Sequence, residues 1–364
     1  MTAGLPAVLA VDGGNSKTDV ALVAADGSLL GTATGPGMRS ATALNKWLGD
    51  MAGLVETVQK QAGRAGLPLA AHLSACVANA DLPEEEEVLA AALLELGWST
   101  TVTAANDTFA VLRAGLDSAD SPADTTPWGV AVTCGAGINC VGVAPDGRTT
   151  RFLSLGMISG DWGGGHGLGS EALWHAVRAE DGRGPATALT GAVAAHFGVP
   201  TVTDVTLGIH LGKIQEYALI GLAPVLLAVA REGDPVAAGL VRRQSAEVAC
   251  MALTAMRRLG LEGLATPVVL GGGLLMSGDP LLTAGVKQEI ADGAPHATVR
   301  IVDVPPIAGA ALLGLDQAGL AATAEPRLRA AYRSAAGTAG AAGAVSNGAH
   351  KLTHTGPAGG TERS

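Results

Sequence analysis

The chain has 364 residues, 48% of them hydrophobic and 15% charged, enough for two domains around a sizeable core. Only 3% are aromatic, so Ala, Val, Leu and Ile must build that core, while the 52 glycines cluster between apolar runs and read as specialised turns. A net charge of −10 argues against a nucleic-acid binder, which needs a basic face, and against docking on an anionic membrane. It does not exclude a single nucleotide, whose phosphates a local nest of backbone N–H groups can hold.

In chain order, a strand over Ala7 to Val11 enters the glycine turn Asp12-Gly13-Gly14-Asn15-Ser16-Lys17-Thr18. Val20 to Val23 is the next strand, Asp26-Gly27 a hairpin turn, and Ser28 to Thr34 a third strand. Helical spacing covers Leu44 to Ala62, a strand His72 to Ala78, and a second helix Glu84 to Leu96, whose acidic first turn suits the helix dipole. A strand over Thr101 to Ala104 stops at Asn106-Asp107, and Thr108 to Gly115 is helical. The opening layout then repeats: strand Trp128 to Val132, glycine turn Thr133-Cys134-Gly135-Ala136-Gly137-Ile138-Asn139, strand Val141 to Val143, turn Asp146-Gly147, strand Thr149 to Leu155. Such a repeat points to a duplicated half and a two-lobed protein.

Beyond the repeat the chain reads as mainly helical to Leu259. The longest apolar run, Tyr217 to Ala230, holds Pro224 and is too short for a membrane span, so the expectation is a buried core helix. A strand over Pro267 to Leu270 enters Gly271-Gly272-Gly273, a strand follows over Val299 to Val304, and a closing helix over Ala308 to Ala318. The expected domains are 1–118 and 119–306, with the closing helix near 307–330 completing the first. The Ala/Gly/Ser/Thr-rich 336–364 reads as a mobile tail. No basic segment precedes Val8, and Cys76, Cys134, Cys140 and Cys250 form no CxxC pair. The expectation is a cytoplasmic protein with free thiols and no signal peptide.

Glycine at the end of a strand lets backbone approach a phosphate closely. In the first turn Ser16, Lys17 and Thr18 add donors, and Asp12 is placed to hold Mg²⁺ through water. The spacing is not that of a Walker loop, and an ordinary hairpin is the competing reading. The second turn, with Cys134, Gly135, Ala136 and Gly137, allows two matched loops to grip one nucleotide from both sides. Gly271, Gly272 and Gly273 supply a third element, for the adenosine end. Asp107, at the lip of such a cleft, is either a general base for an attacking hydroxyl or a helix cap.

These segments together, Asp12 to Thr18, Asn106-Asp107, Cys134 to Asn139 and Gly271 to Gly273, resemble the BadF/BadG-type ATPase and N-acetylglucosamine kinase family over about Val8 to Gly314. The resemblance implies an α/β, two-lobed actin-like (ribonuclease H-like) ATPase fold: duplicated β-sheet domains with an interlobe cleft. It implies ATP and Mg²⁺ as cofactors, Asp107 as the catalytic base, and Asn106, Asp107 and Asn139 against a sugar. The segment Ser159 to Leu173, with Asp161, Trp162, His166 and Glu171, departs from the family's Gly-Asp-Glu-Gly-Ser pattern: Ser170 replaces the Asp of the Asp-Glu pair, and extra glycines read as a lengthened loop. Together with Arg178 to Pro185 it resembles the actinobacterial glucosamine kinase group. Where the family places a sugar-binding Asn, this chain has Ser40. An ammonium group wants a carboxylate partner, so Asp161 and Glu171 are the candidates to meet an amine, with helix and turn capping as their competing role.

The implied function is ATP-dependent phosphorylation of glucosamine at its 6-hydroxyl. The alternatives are N-acetylglucosamine kinase and, more distantly, an ATPase activator of a radical enzyme, which would need cysteines for an iron–sulfur cluster. The expected partner is a small-molecule sugar, with no nucleic acid and no membrane; a homodimer is compatible with the reading.

Overall fold

The structure is a computed structural model that describes residues 4–38, 44–117 and 127–343. Two five-stranded sheets carry it. The first holds β1 (Val8–Gly13), β2 (Lys17–Val23), β3 (Leu29–Pro36), β4 (Ala70–Val77) and β5 (Ser99–Asn106) in the order β3-β2-β1-β4-β5. The second holds β6 (Gly129–Cys134), β7 (Ile138–Val143), β8 (Thr149–Arg151), β9 (Pro267–Gly271) and β10 (Thr298–Ile301) in the order β10-β9-β6-β7-β8. Read from opposite ends the two orders are the same plan: an antiparallel meander extended by parallel strands. The fold is therefore α/β and two-lobed, with the duplication that the repeat implies.

Sequence chemistry explains the placement of the sheets. β1 and β6 are almost wholly buried Val, Ala and Leu, as central strands covered on both faces must be. In the first lobe α1 (Leu44–Gln61) and α2 (Pro83–Glu95) cover one face. In the second, α4 (Gly164–Glu180), α5 (Leu189–Phe197), α6 (Val202–His210), α7 (Leu222–Arg231), α8 (Pro235–Leu259) and α9 (Pro280–Gly293) form the larger helical layer.

Between the sheets lie α3 (Asp107–Gly115) and α10 (Pro306–Gln317), in a shared apolar core with Ala10, Ala131, Val141 and Val269. α10 packs on α3, β1 and β4. α11 (Ala321–Gly343) follows and is pinned to the end of α3. Arg113, only 3% exposed, pairs with Asp316 at 2.7 Å and Glu325 at 2.8 Å. Arg329 pairs with Glu325 and donates to the Ala114 carbonyl.

Four sequence expectations need correction. β8 ends at Arg151 rather than Leu155, because Ser154 takes φ +54, which a strand cannot continue. The run Tyr217 to Ala230 is a 3₁₀ turn over Glu216–Gly221 followed by α7, with Pro224 in the first turn of α7, where its missing N–H costs nothing. The glycine-rich stretch after Trp162 is no lengthened loop: α4 begins at Gly164. Its glycines serve close packing, since a Cβ on Gly169 would lie 1.9 Å from the Leu219 carbonyl oxygen. The helix α11 runs to Gly343, into the stretch expected as a mobile tail, because an Ala-rich segment too poor for a core still has high helix propensity. The rest of that stretch, 344–364, lies outside the described residues. Among the described residues no single helix is long and apolar enough to cross a membrane.

The contact of α10 with α3 is close enough to be tested. A Cβ at Gly309 would lie 1.8 Å from the Ala110 carbonyl oxygen, so Gly309→Ala must push α10 off α3. We expect a loss of about 3 kcal/mol, the upper range for overpacking. It should appear in a denaturant titration as a lower midpoint at unchanged slope.

Candidate active site

The two glycine turns face one another across a cleft of about 360 Å³ between the sheets. The first turn joins Gly13 to its strand partner Thr18, and the second joins Cys134 to Ile138. Their carbonyls are tied back on the far side. The Ala78 N–H donates to Gly13 at 2.7 Å and the Met38 N–H to Gly14 at 3.0 Å. On the other side the Gly165 N–H donates to the Gly135 carbonyl at 2.7 Å and the His166 N–H to Ala136 at 2.9 Å. In a trans peptide the N–H points opposite to the C=O. These ties therefore direct the N–H groups of Asn15, Ala136 and Gly137, all cleft-lining residues, away from the ties and toward the cleft.

The second turn is clamped from two further directions. Gly272 (φ +84) lies so close that a Cβ would meet the Cys134 backbone at 2.6 Å, and the Leu274 N–H donates to the Cys134 carbonyl at 2.9 Å. Gly164 (φ +71) packs on the Gly137 backbone, and its N–H donates to Oε1 of the buried Gln244 at 3.0 Å. No residue with a side chain fits at either glycine without moving the turn.

Between the turns stands the Asn106-Asp107 pair. Asn106 is the N-cap of α3: its Oδ1 accepts the Thr108 N–H at 2.9 Å. Its other groups are used too. Its Nδ2 donates to Asp81 at 2.8 Å, its backbone N–H donates to Glu86 at 2.9 Å, and its Oδ1 also accepts from Asn139 at 3.0 Å. Asp107 is thus spared the capping role and lines the cleft, where burial pushes its carboxyl up to about 6 against the opposing hydrogen bonds from Thr108. Glu86 in turn receives a bidentate ion pair from Arg151 of the other lobe, at 3.0 and 2.8 Å.

The cleft is acidic. Burial, then repulsion from Asp107 and Asp19, pushes Asp12 up to about 8 despite Lys17. Burial, then repulsion from Asp107 and Glu85, pushes Asp81 up to about 7, with Asp161 adding to the effect and Arg151 opposing it. Asp161 lines the same space and accepts from the Ser159 hydroxyl. Among the described residues no group of three or more His, Cys, Asp or Glu forms a metal cage. A lone under-compensated carboxylate such as Asp12 fits Mg²⁺, which keeps most of its waters and takes its remaining ligands from phosphate.

Gly14, Asn15, Ser16, Lys17, Gly135, Ala136, Gly137, Gly272, Asn106, Asp107, Asn139, Asp161 and Asp12 all line this cleft. Other expected residues do not. Gly13 is packed on Trp47 and Val77, and Gly271 on Val111, because both are still strand residues. Thr18 is fully buried, donating to the Pro36 carbonyl and accepting from Trp47 Nε1. The Cys134 thiol is fully buried in the second lobe's core, and burial pushes it up to about 12. Gly273 is exposed outside the cleft. His166 is exposed on the first turn of α4.

Trp162 and Glu171 lie behind the turn. The indole of Trp162 is buried in the second lobe's core beside Gly163 (φ +113), donates to Glu171 at 3.1 Å and carries the Arg243 guanidinium 3.9 Å over its ring. Glu171 is engaged there and is not placed to meet a ligand in the cleft; of the two expected carboxylates only Asp161 is. Ser40 lies outside the described residues.

Sequence reasoning missed Asn79, Asp81 and Ser154, which also line the cleft. Asn79 sits at φ +64 and donates to Asn15 and to the Met38 carbonyl, both at 2.9 Å. The signal for the first two was a polar Ala78-Asn79-Ala80-Asp81 segment at the end of a buried strand. Ser154 left none.

Residues 9–314 match the model of the BadF/BadG/BcrA/BcrD ATPase family. The chain is 23% identical over 271 residues to an N-acetylmuramic acid/N-acetylglucosamine kinase of Clostridium acetobutylicum, covering 74% of this chain and 85% of that one. It is 24% identical over 246 residues to an N-acetyl-D-glucosamine kinase of Dictyostelium discoideum, covering 67% and 75%. In fold it is similar to a Chromobacterium violaceum protein provisionally assigned as an N-acetylglucosamine kinase, with TM-score 0.62, 24% identity and coverage of 84% and 98%. It is also similar to a ROK family glucokinase from Streptomyces griseus solved with glucose and AMPPNP, with TM-score 0.51, 16% identity and coverage of 85% and 98%.

The raised carboxyls give a pH signature. Asp12, Asp81 and Asp107 hold a proton in the folded protein at pH values where the unfolded chain, near 3.8, has released it. The folded state binds more protons between about pH 4 and 8, so unliganded stability falls as pH rises through that window. We expect the thermal midpoint of the free protein to drop from pH 6 to pH 8, and Asp12→Asn to flatten the upper part of that slope. An equal slope in wild type and variant would contradict the assignment.

Proposed function

We propose, from the premise that the chain belongs to the BadF/BadG/BcrA/BcrD ATPase family, that it transfers the γ-phosphoryl group of ATP to the 6-hydroxyl of an amino sugar, with glucosamine preferred. One observation carries the reading. Asn106 takes the cap of α3 and leaves Asp107 as a carboxylate in the cleft between two glycine turns. The names of the Clostridium and Dictyostelium relatives support sugar phosphorylation as the reaction class.

In this reading the N–H groups of Asn15, Ala136 and Gly137 hold the phosphates, with Lys17 beside them. Gly272, backed onto the second turn, marks the adenosine end. Asp12 would hold Mg²⁺ through water; when bound, the ion offsets phosphate charge. Asp107 accepts the proton of the sugar's 6-hydroxyl as that oxygen bonds to the γ-phosphorus. The bond from that phosphorus to the oxygen bridging it to the β-phosphate breaks, and ADP departs with the bonding electrons. Closure of the lobes places the hydroxyl in line and excludes water.

The preference for glucosamine rests on charge. Asp81, Asp107 and Asp161 line one space, where Asp107 and Asp161 both raise the proton affinity of Asp81, and an ammonium group relieves that repulsion where an acetamide does not. The names of both curated relatives favour a second reading, N-acetylglucosamine as acceptor.

Two measurements test the proposal. A coupled ADP-release assay across glucosamine, N-acetylglucosamine and glucose should give the highest kcat/KM for glucosamine, and Asp161→Asn should raise KM for glucosamine while leaving N-acetylglucosamine within twofold. Equal turnover of glucose and glucosamine would remove the ammonium argument. Separately, Asp107→Asn should lose about 10²–10⁴ in kcat, the usual range for a general base, with MgADP binding retained. In wild type, kcat/KM should fall as pH drops below about 6, where Asp107 takes up its proton. Near-normal turnover in Asp107→Asn would refute the base assignment.

A further inference from the structure

The segment after β8 is built against ordinary preferences. Phe152 packs on the second lobe's core, and then the chain leaves the sheet with Leu153 55% exposed and Leu155 42% exposed. Between them Ser154 is turned inward. Exposing two leucines while a serine hydroxyl between them is buried reverses what hydrophobic burial favours. Ser154 also sits at φ +54, a left-handed conformation that is uncommon and strained for a residue with a side chain. Its Oγ is buried and finds no protein partner, although a buried hydroxyl is ordinarily hydrogen-bonded. Three separate costs therefore fall on Ser154 and its two neighbours, and the unpaired hydroxyl is not repaid within the protein.

The place where they fall is specific. Ser154 lines the interlobe cleft together with Asp81, Asp107, Asn139, Gly156 and Asp161. Its neighbours hold the conformation. Ser159 accepts the Leu155 N–H at 2.8 Å, and its single hydroxyl proton is shared between Asp161 and the Gly156 carbonyl at 3.0 Å. The segment is a closed turn that carries its own supports, and the serine is fixed before any ligand arrives.

We infer that Ser154 is a substrate-binding residue whose hydroxyl pairs with a hydroxyl of the acceptor sugar, an inference that rests on the sugar-kinase reading above. A serine hydroxyl both donates and accepts, so it suits a sugar hydroxyl that needs a partner on entering a desolvated cleft. The neighbouring carboxylates only accept when ionised. Ser154 thus supplies a side-chain hydroxyl in this segment able to donate a proton to a sugar oxygen as well as accept one. Removing it penalises sugar and not nucleotide, which is gripped at the glycine turns.

The test uses the full chain with Ser154→Ala and Ser154→Gly. Calorimetric titration with glucosamine and with N-acetylglucosamine comes first. If wild type binds neither sugar and phosphorylates none, the kinase reading falls and this inference with it. If wild type does bind or phosphorylate a sugar, Ser154→Ala should raise KM for that sugar at least tenfold while KM for MgATP stays within twofold. Ser154→Gly should show the same sugar loss together with a higher thermal midpoint, since glycine adopts φ +54 without strain. Among the 1-, 3- and 4-deoxy sugars, one should lose on wild type what the parent sugar loses on Ser154→Ala, and lose nothing further on the variant. A sugar KM within twofold of wild type in both variants overturns the inference while the kinase reading stands. Equal losses for sugar and ATP also overturn it, because they mark a general disturbance of the cleft.

Discussion

The arrangement depends on the side chain of Asn106. This one buried amide caps α3, accepts from Asn139 of the second lobe and donates to Asp81 of the first, while its backbone N–H is held by Glu86. Elements from both sheets thus meet at a single residue of the chain. Because the cap is satisfied there, the next residue, Asp107, is not needed as the N-cap and its carboxylate lines the cleft. Its position relative to both glycine turns follows from α3 being wedged between the sheets, with α10 and the Arg113–Asp316–Glu325 cluster closing its other side.

The same packing sets the electrostatics. Asp12, Asp81 and Asp107 are drawn out of water toward one another, and each is pushed toward protonation. Like charges held close in a desolvated space are costly on their own. They persist here because the sheets and α3 fix their backbones, and a ligand bringing positive charge relieves them. A cation beside phosphate and an ammonium beside the far carboxylates are the two forms such relief takes in the proposed reaction. The tie from Arg151 to Glu86 limits the cost by placing one guanidinium at the edge of the acidic group.

How far this was legible in the sequence differs by residue. The strand–glycine–strand repeat, the capped helix after Asn106 and the third glycine cluster were readable, because glycine clusters between apolar runs have few other uses. The parity within those turns was not. Gly13, Thr18, Cys134 and Gly271 belong to the strands and point into cores, which depends on where pairing ends, a tertiary matter. The glycines of α4 misled for a related reason: composition reads them as a loop, but contact with the Leu219 backbone makes them helix. Sequence reads Trp162 and Glu171 as cleft residues because their mutual hydrogen bond and the packing of the indole into the second lobe's core leave no local signature. Ser154 is the extreme case, an ordinary residue type whose significance lies in its backbone angle and its unpaired hydroxyl.

The most direct check of the central claim, that this cleft moves a phosphoryl group onto a sugar alcohol, is ³¹P NMR of the purified chain incubated with MgATP and glucosamine. The account predicts loss of the γ-phosphate signal and growth of a phosphomonoester resonance split by the methylene protons of C6, with ADP in equal amount. Inorganic phosphate as the sole new phosphorus species beside ADP, or a γ-phosphate signal that persists with every amino sugar supplied, would contradict it.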